Sequence, residues 1–453
     1  DRPWSSLRII DPACGGGAFI IPIVRKIIED EKPDKDKMQG ILDENIRGVD
    51  IDPTGTEITR ILLRNLLNGY YPGIDFCLDK TVFAADSLNL PEVFNDSFDI
   101  VVGNPPYGKT KLYGEDKIKW KESIYGHVNL YGLFSHLAVN LLKTDGIFAY
   151  VMPAGFMGGK YFKNLREFLL KKCPPIAVDF VHSRKNVFPD VLQEVGIMLF
   201  KKEACPRPKI QVNFIKGLEV DKLKITAGGS FILNGYSDMP WFIPRSIDQV
   251  PYLLNLSKLP NRLKDLGYKV STGPFVWNRH KSQLFDRPGK DRYKIIWAES
   301  IKSYGGFSYQ CKERGHYPFY KAFFGKDFNV IRTPCVLVQR TTAKEQGKRL
   351  NAGIMDANFI GNGVVVENHL NMILPMPDRS SIISLHLISY LLNSKVLNSL
   401  FQCINGSTAV SAFEIEALPF PANSDLFEME NLLRAGNYEE LDFYINSCYL
   451  YRD

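Results

Sequence analysis

LRIIDPACGGGAFIIPIVRKIIEDE, residues 7–31, decides the fold. LRIIDPA reads as a short apolar strand, and GAFIIPIVRKIIEDE as an amphipathic helix with its apolar residues at helical spacing. Between them, Gly15, Gly16 and Gly17 let the backbone turn sharply and approach a ligand without Cβ atoms in the way. The helix that follows brings the positive end of its dipole to the same place. Asp11, closing the strand, can accept from a ligand ammonium or from a backbone amide. A tight strand–helix turn with no ligand would use the same residues, so the stretch sets an architecture before it sets a function.

The same rhythm continues outward. IRGVDID is a second strand, followed by the helical TEITRILLRNLLNG, which is expected to end at Gly69. TVFAAD and FDIVVGN are a third and a fourth strand. LYGLFSHLAVNLLK is an apolar-faced helix and GIFAYVMPA a fifth strand. KYFKNLREFLLKK, IAVDFVHSR and EVGIMLFKK complete the pattern as helix, strand and strand. Strands alternating with helices predict an α/β domain over residues 1–203, doubly wound about a mostly parallel, Rossmann-like sheet. Prolines 206, 208, 240, 244 and 251 then break the rhythm, and residues 204–245 read as a connecting segment. Residues 246–453 read as an α+β domain. It has β-like runs in YKIIWA, NVIRTPCVLVQR and GNGVVVENHLNMILP, one apolar-faced helix over 381–402, and one or two more helices over 425–448.

Composition narrows the class. Apolar residues make up 45% of the chain and charged residues 23%, the balance of a globular protein. No run of eighteen apolar residues and no signal peptide is visible, so no membrane association is expected and the expected location is the cytoplasm. The eight cysteines are scattered without C-x-x-C spacing or His partners, which argues for reduced thiols and against a metal site. The net charge of +6 is unevenly spread. Residues 1–110 hold 12 Lys/Arg against 18 Asp/Glu, whereas residues 258–349 hold 20 against 7. That basic segment is interleaved with Trp277, Tyr293, Trp297, Tyr304, Tyr309 and Phe323, the make-up of a polyanion-binding surface, although a solvated lysine-rich face would look similar.

Three further motifs sit at expected strand ends. GVDIDP (48–53) ends the second strand in carboxylates, where folds of this type grip a ribose diol. Asp50 is the better candidate, because Asp52 precedes Pro53 and looks like a helix N-cap. AADSL (84–88) places Asp86 where it can accept from an adenine amino group or cap the next turn. GNPPYG (103–108) follows the fourth strand. The Tyr107 ring can stack on a flat base, while the Asn104 amide oxygen and the Pro105 carbonyl can accept from an exocyclic amine. Pro105 and Pro106 lack N–H groups and fix φ, so the loop is stiff. A plain Pro-Pro turn with a half-buried Tyr is the alternative.

DPACGGGAF, GVDID, AADSL and GNPPYG, in that order, resemble the S-adenosylmethionine-dependent, adenine-N6-specific DNA methyltransferases of the gamma class, in the Eco57I-type or TaqI-type group of restriction-modification enzymes. The resemblance is specific over residues 8–110, extends to about 202 and is looser beyond. It implies cofactor contacts from Asp11, Ala13, Cys14, Gly15, Gly17, Phe19, Asp50, Ile51, Asp86, Ser87 and Asn104. It implies a catalytic tetrapeptide Asn104, Pro105, Pro106 and Tyr107, with Tyr107 and Phe188 (from NVFPDVLQEVGIMLF) stacking on the target base. The stretches 269–285 and 405–421 look like that group's target-recognition region. Candidate DNA contacts are Lys269, Trp277, Asn278, Arg279, His280, Lys281, Arg287 and Arg292. DRPWSSLRII does not supply the Thr/Pro-rich motif that the gamma class places before the Gly-rich loop, and without it weaker affinity for the methionine end of the cofactor is expected.

The function implied is transfer of a methyl group from S-adenosylmethionine to N6 of an adenine flipped out of double-stranded DNA, in prokaryotic restriction-modification or a related defence. The partners implied are duplex DNA with a short specific target and a restriction endonuclease, either separate or in sequence preceding residue 1. Methylation of a protein glutamine or an RNA amine, and a catalytically silent DNA-binding specificity subunit, are the competing readings. The basic segment favours nucleic acid over glutamine, and the complete acid set argues against a silent scaffold.

Overall fold

A nine-stranded sheet organises the first part of the chain. In this computed structural model, residues 2–181, 194–203, 208–219, 222–233, 239–322, 329–342 and 347–450 are described. The chain divides into two units, Asp1–Met239 and Pro240–Asp453. Strands β1 (Ile9–Asp11), β2 (Ile46–Asp50), β3 (Val82–Ala84) and β4 (Phe98–Gly103) fall where the four motif-bearing strands are expected. A two-stranded ribbon, β5 (Lys109–Thr110) and β6 (Val128–Asn129), follows. The strands β7 (Leu142–Pro153), β8 (Pro175–Val181), β9 (Val195–Lys201), β10 (Lys209–Glu219) and β11 (Lys222–Ile232) complete the unit. The sheet order is β11-β10-β8-β9-β7-β4-β1-β2-β3, mostly parallel, with antiparallel pairing where β9 and β11 enter. This is the Rossmann-like α/β fold that the alternation of strand and helix predicts.

Helices α1 (Ile20–Glu31), α2 (Lys35–Glu44), α3 (Pro53–Tyr70), α4 (Gly114–Lys119), α5 (Leu130–Leu141) and α6 (Lys163–Lys172) accompany the strands. Ile20, Val24 and Ile27 of α1 and Leu63 and Leu67 of α3 pack with Ile9, Ile46 and Val82 in one core cluster. Helix α3 begins as its sequence suggests: Asp52 accepts from the Thr54 amide at 2.9 Å and Pro53 occupies the first turn. Helix α2 was not legible, because only Met38, Ile41 and Leu42 of its ten residues are buried.

The connecting segment expected over 204–245 needs correction. Its strands β10 and β11 belong to the sheet, with β10 parallel to β8, and the division between units falls at Met239/Pro240. Pro208 stands just before β10 and accepts from the Leu233 amide at 2.9 Å, so a proline with no N–H of its own flanks the strand without costing it a ladder bond.

The second unit contains β12 (Tyr268–Thr272), β13 (Leu284–Phe285), β14 (Arg292–Ile296), β15 (Phe319–Lys321), β16 (Val330–Ile331), β17 (Cys335–Gln339), β18 (Ala352–Met355), β19 (Val364–Val366) and β20 (Leu370–Pro375). They form a four-stranded sheet, β12-β20-β17-β18, and a five-stranded one, β13-β15-β14-β19-β16. The expected single helix over 381–402 is two, Leu385–Asn393 and Lys395–Ile404. Ser394, in extended conformation at ψ 152°, breaks the run and caps the second helix by accepting from the Leu397 amide at 3.2 Å. Apolar periodicity continues across the break and conceals it. Among the described residues no helix is long and apolar enough to cross a membrane.

Candidate active site

The strand order places β1 beside β4, with Ile9 opposite Ile100 and Ile10 opposite Val101. The chain runs from β1 outward to β2 and β3 on one side, and from β4 to β7 on the other. The β1/β4 boundary is therefore a topological switch point, and sheets of this kind take their ligands outside the carboxyl ends of the strands at such a point. The Gly-rich loop leaves β1 and the Asn-Pro-Pro-Tyr loop leaves β4, so the two motifs become neighbours although about ninety residues separate them. The contact is tight: a Cβ on Gly103 would lie 2.6 Å from Asp11 Oδ1.

Asp11 is fully buried. Its Oδ1 accepts from the Ala13 amide at 3.0 Å, and its Oδ2 is buried without a hydrogen-bond partner. Burial pushes its pKa up from 3.8 to about 7, the Ala13 amide pulls it back in part, and the charge of Asp50 adds to the rise. Gly17 sits at φ +82°, and a Cβ there would meet Thr59 at 2.8 Å and Ile21 at 2.9 Å. Only glycine fits both that conformation and that gap. Thr59 in turn donates to the Gly15 carbonyl at 2.7 Å, a support from α3 that the sequence did not suggest.

Asp50 ends β2 and spans two loops. Its Oδ2 accepts from the Gly15 amide at 2.8 Å and its Oδ1 from the Asp52 amide at 2.9 Å. Each carboxylate oxygen keeps a second lone pair, so the group can hold the loop and still accept from a diol. Asp86 caps the turn Ser87–Asn89, accepting from the Leu88 amide at 3.1 Å and from the Asn89 side chain at 2.7 Å. It is also solvent-exposed. Ser87 is buried and donates to the Pro12 carbonyl at 2.6 Å, which fastens the third motif loop to the first. Ile51 is 73% exposed and Phe19 half-buried at the head of α1, both open to a flat ring. Cys14 donates its amide to the Val49 carbonyl at 3.0 Å, and burial pushes its thiol up to about 12. A protonated, buried thiol is a packing group and no nucleophile.

In the target loop Asn104 is exposed and Tyr107 half-buried. The Tyr107 hydroxyl lies 2.7 Å from Asn104 Oδ1 and 3.1 Å from the Val151 carbonyl on β7. One hydroxyl proton serves one acceptor at a time, so Tyr107 is held between them. Burial pushes Tyr107 up to about 12. The Tyr131 ring meets it edge-on at 6.2 Å and stacks on Phe162 at 5.3 Å, bracing Tyr107 from α5. Phe188 lies outside the described residues.

The candidate DNA contacts of the second unit fare unevenly. Lys269, Asn278, Arg279, Lys281 and Arg287 are exposed. His280 is engaged internally, stacked on Phe275 at 5.2 Å and 3.0 Å from Gln283. Arg292 lies 3.7 Å over Phe285 and donates to the Arg287 carbonyl at 2.8 Å. Trp277 is half-buried beside Trp297. Trp297, read as part of the aromatic surface, is 1% exposed and stacked on His316 at 3.7 Å, so it belongs to the core. Phe323 lies outside the described residues.

The nine-stranded sheet, with its motif loops at the carboxyl ends of β1 to β4, is a Rossmann-like α/β sheet. Residues 44–188 match the family described as Eco57I restriction-modification methylase. The type II methyltransferase M.BsuBI of Bacillus subtilis is 27% identical over 370 residues, covering 74% of this chain and 68% of the relative. M.PstI of Providencia stuartii is 25% identical over 365 residues, covering 78% and 70%. The structure of the type IIL restriction-modification enzyme MmeI in complex with DNA shares the fold, with a TM-score of 0.59 at 13% identity over 98% of this chain and 70% of that one. Residues 44–188 thus carry an Eco57I-type restriction-modification methylase domain, and most of the chain is similar to type II methyltransferases.

Proposed function

We propose that the chain transfers a methyl group from S-adenosylmethionine to the N6 amino group of an adenine flipped out of duplex DNA. The observation that carries this reading is the Asn104–Tyr107 loop, placed across one strand gap from the glycine cradle and the orphaned Asp11 oxygen. The cradle fits a nucleoside cofactor. Gly15 and Gly17 leave room that side chains would fill, Asp50 offers lone pairs to a ribose diol, and Asp86 faces solvent where an adenine amine would come. Asp11 Oδ2 suits an ammonium group. When bound, the cofactor supplies an electrophilic methyl on a sulfonium.

The chain's own residues do the rest. Tyr107 offers its ring for stacking, worth about 1–3 kcal/mol per base against an unstacking cost of a few kcal/mol. Asn104 Oδ1 and the Pro105 carbonyl accept from the amino group, hold it in line and raise its electron density. Asn104 Oδ1 carries two lone pairs, so it can keep the Tyr107 hydroxyl at 2.7 Å and still accept from the amine. Nucleoside analysis of plasmid DNA incubated with the chain and isotopically labelled cofactor tests the reading. Label in N6-methyladenine is expected. Label in a methylated cytosine, or in protein or RNA and absent from DNA, would overturn it.

The exposed cations of the second unit are assigned to phosphate contacts. Reversing Lys269, Arg279, Lys281 and Arg287 together should weaken duplex binding by more than about a hundredfold near 100 mM salt, since each lost phosphate contact shallows the log–log salt slope by about 0.9. Cofactor affinity should not change. Titrations at several salt concentrations that show wild-type slope in the variant would remove the assignment.

A further inference from the structure

The charge of the first unit inverts immediately after the target loop. Residues 1–108 hold 11 Lys/Arg and 18 Asp/Glu, whereas residues 109–172 hold 11 and 5. The structure gives this inversion a shape. Gly108 accepts from the Leu130 amide at 2.8 Å, and the β5–β6 ribbon pairs Lys109 with Asn129 and Thr110 with Val128. Residues 111–127 are thus an excursion whose two ends are clamped directly behind Tyr107.

The excursion is anchored on its inner side. Trp120 is 2% exposed and packs edge-on against His136 of α5 at 5.0 Å. Ser123 Oγ lies 2.8 Å from His136 Nδ1, and Asn164 of α6 donates to the Ile124 carbonyl at 2.8 Å. Lys119 donates to the Leu88 carbonyl, which ties the excursion to the turn capped by Asp86. Its outer side is different. Lys111, Lys117 and Lys121 are exposed, and none of them forms an ion pair with a carboxylate among the described residues. Tyr113 is 72% exposed on the same stretch. Glu115, Asp116 and Glu122 are exposed on the same stretch, Glu122 paired with Lys172, so what sets its lysines apart is placement: an apolar anchor on the opposite side and a clamp directly behind Tyr107.

We infer that the excursion 111–127 is a second DNA-contacting element, carried by the catalytic unit itself, in which Lys111, Lys117 and Lys121 take the phosphates flanking the base held at Tyr107. Cations on a segment anchored beside the loop that receives the base would counter the repulsion of phosphates brought together when the strand is deformed. The inference rests on duplex DNA being the substrate.

The test is the triple variant Lys111→Gln, Lys117→Gln, Lys121→Gln in the full chain. Its comparison is an exposed pair far along the sequence, Lys35→Gln with Lys37→Gln on α2. Affinity for a fluorescein-labelled duplex is read by anisotropy from 50 to 300 mM salt, cofactor affinity by calorimetry, and folding by thermal melting. The triple variant is expected to bind at least tenfold more weakly at low salt, with a log–log salt slope shallower by about 2–3, since each phosphate contact contributes about 0.9. Cofactor affinity and melting should match wild type, and the α2 pair should behave as wild type. A triple variant with wild-type slope, when wild type binds duplex steeply with salt, overturns this inference and leaves the function standing. Wild type that fails to bind duplex at all overturns the DNA reading and this inference with it.

Discussion

Asn104→Ala is expected to bind duplex and cofactor and to transfer almost no methyl, with a fall in kcat of at least about a hundredfold. That is the scale on which removal of one polar group aimed at the reacting atoms acts. The change takes away an acceptor for the amine and also the group that the Tyr107 hydroxyl meets at 2.7 Å. Tyr107→Phe separates the two effects. It keeps the ring and the acceptor and loses only the hydroxyl contact, so its loss should be about 3–10-fold, the worth of one neutral hydrogen bond. Tyr107→Ala loses the stacking surface as well and should bind the duplex more weakly, by about 1–3 kcal/mol. With 2-aminopurine at the target position, wild type and Asn104→Ala should change the probe's fluorescence alike. Full N6 methylation by Asn104→Ala would end the reading of this loop as catalytic.

The second large effect is one of pH. Burial holds Asp11 protonated up to about pH 7, against 3.8 for an ordinary carboxyl. An unfolded chain loses that proton near pH 4, so the stability it confers is present below pH 4 and is lost as pH rises toward 7. The whole displacement corresponds to roughly 4 kcal/mol. Cofactor binding runs the other way, because an ammonium at Oδ2 needs the carboxylate. Affinity for S-adenosylhomocysteine should therefore rise about tenfold per pH unit between pH 5 and 7, with about one proton released on binding. That range lies below the usual titration of an α-amino group, near 7.7–8.0. Asp11→Asn should flatten this dependence, weaken binding at pH 8 by roughly 1.5–3 kcal/mol, and raise the melting temperature of the cofactor-free protein at that pH. Calorimetry of wild type in buffers of different ionisation enthalpy decides it, since a flat profile with no proton release would mean that Asp11 does not meet the ammonium.

Much of the first unit could be read in the chain because its signals are local. Helical periodicity in 17–31 and 56–69, and acids or prolines closing apolar runs, marked the four motif loops at strand ends. What escaped was whatever depends on neighbours distant in sequence. No local pattern says that β1 lies beside β4, so the meeting of Gly103 with Asp11 had no signature. The Asp50 side chain looked free for a ribose, yet it already supports the Gly15 and Asp52 amides. Averaging charge over 1–110 hid the inversion that begins at Lys109. In the second unit, aromatic residues and cations were read as one surface, and burial divided them: Trp297 went to the core and Arg279 to solvent.

The pairing of β1 with β4 has a consequence for how such a protein can change over time. The loop that would hold the methyl donor and the loop that would hold its acceptor hang from adjacent rungs of one backbone ladder, about 4.8 Å apart. Their alignment resides in main-chain geometry within the first unit. On the proposed assignment of DNA reading to the second unit, a lineage could exchange or rewrite that unit while the chemistry stays registered. New specificities would be acquired by replacement of a part, with no need to rebuild the reaction each time.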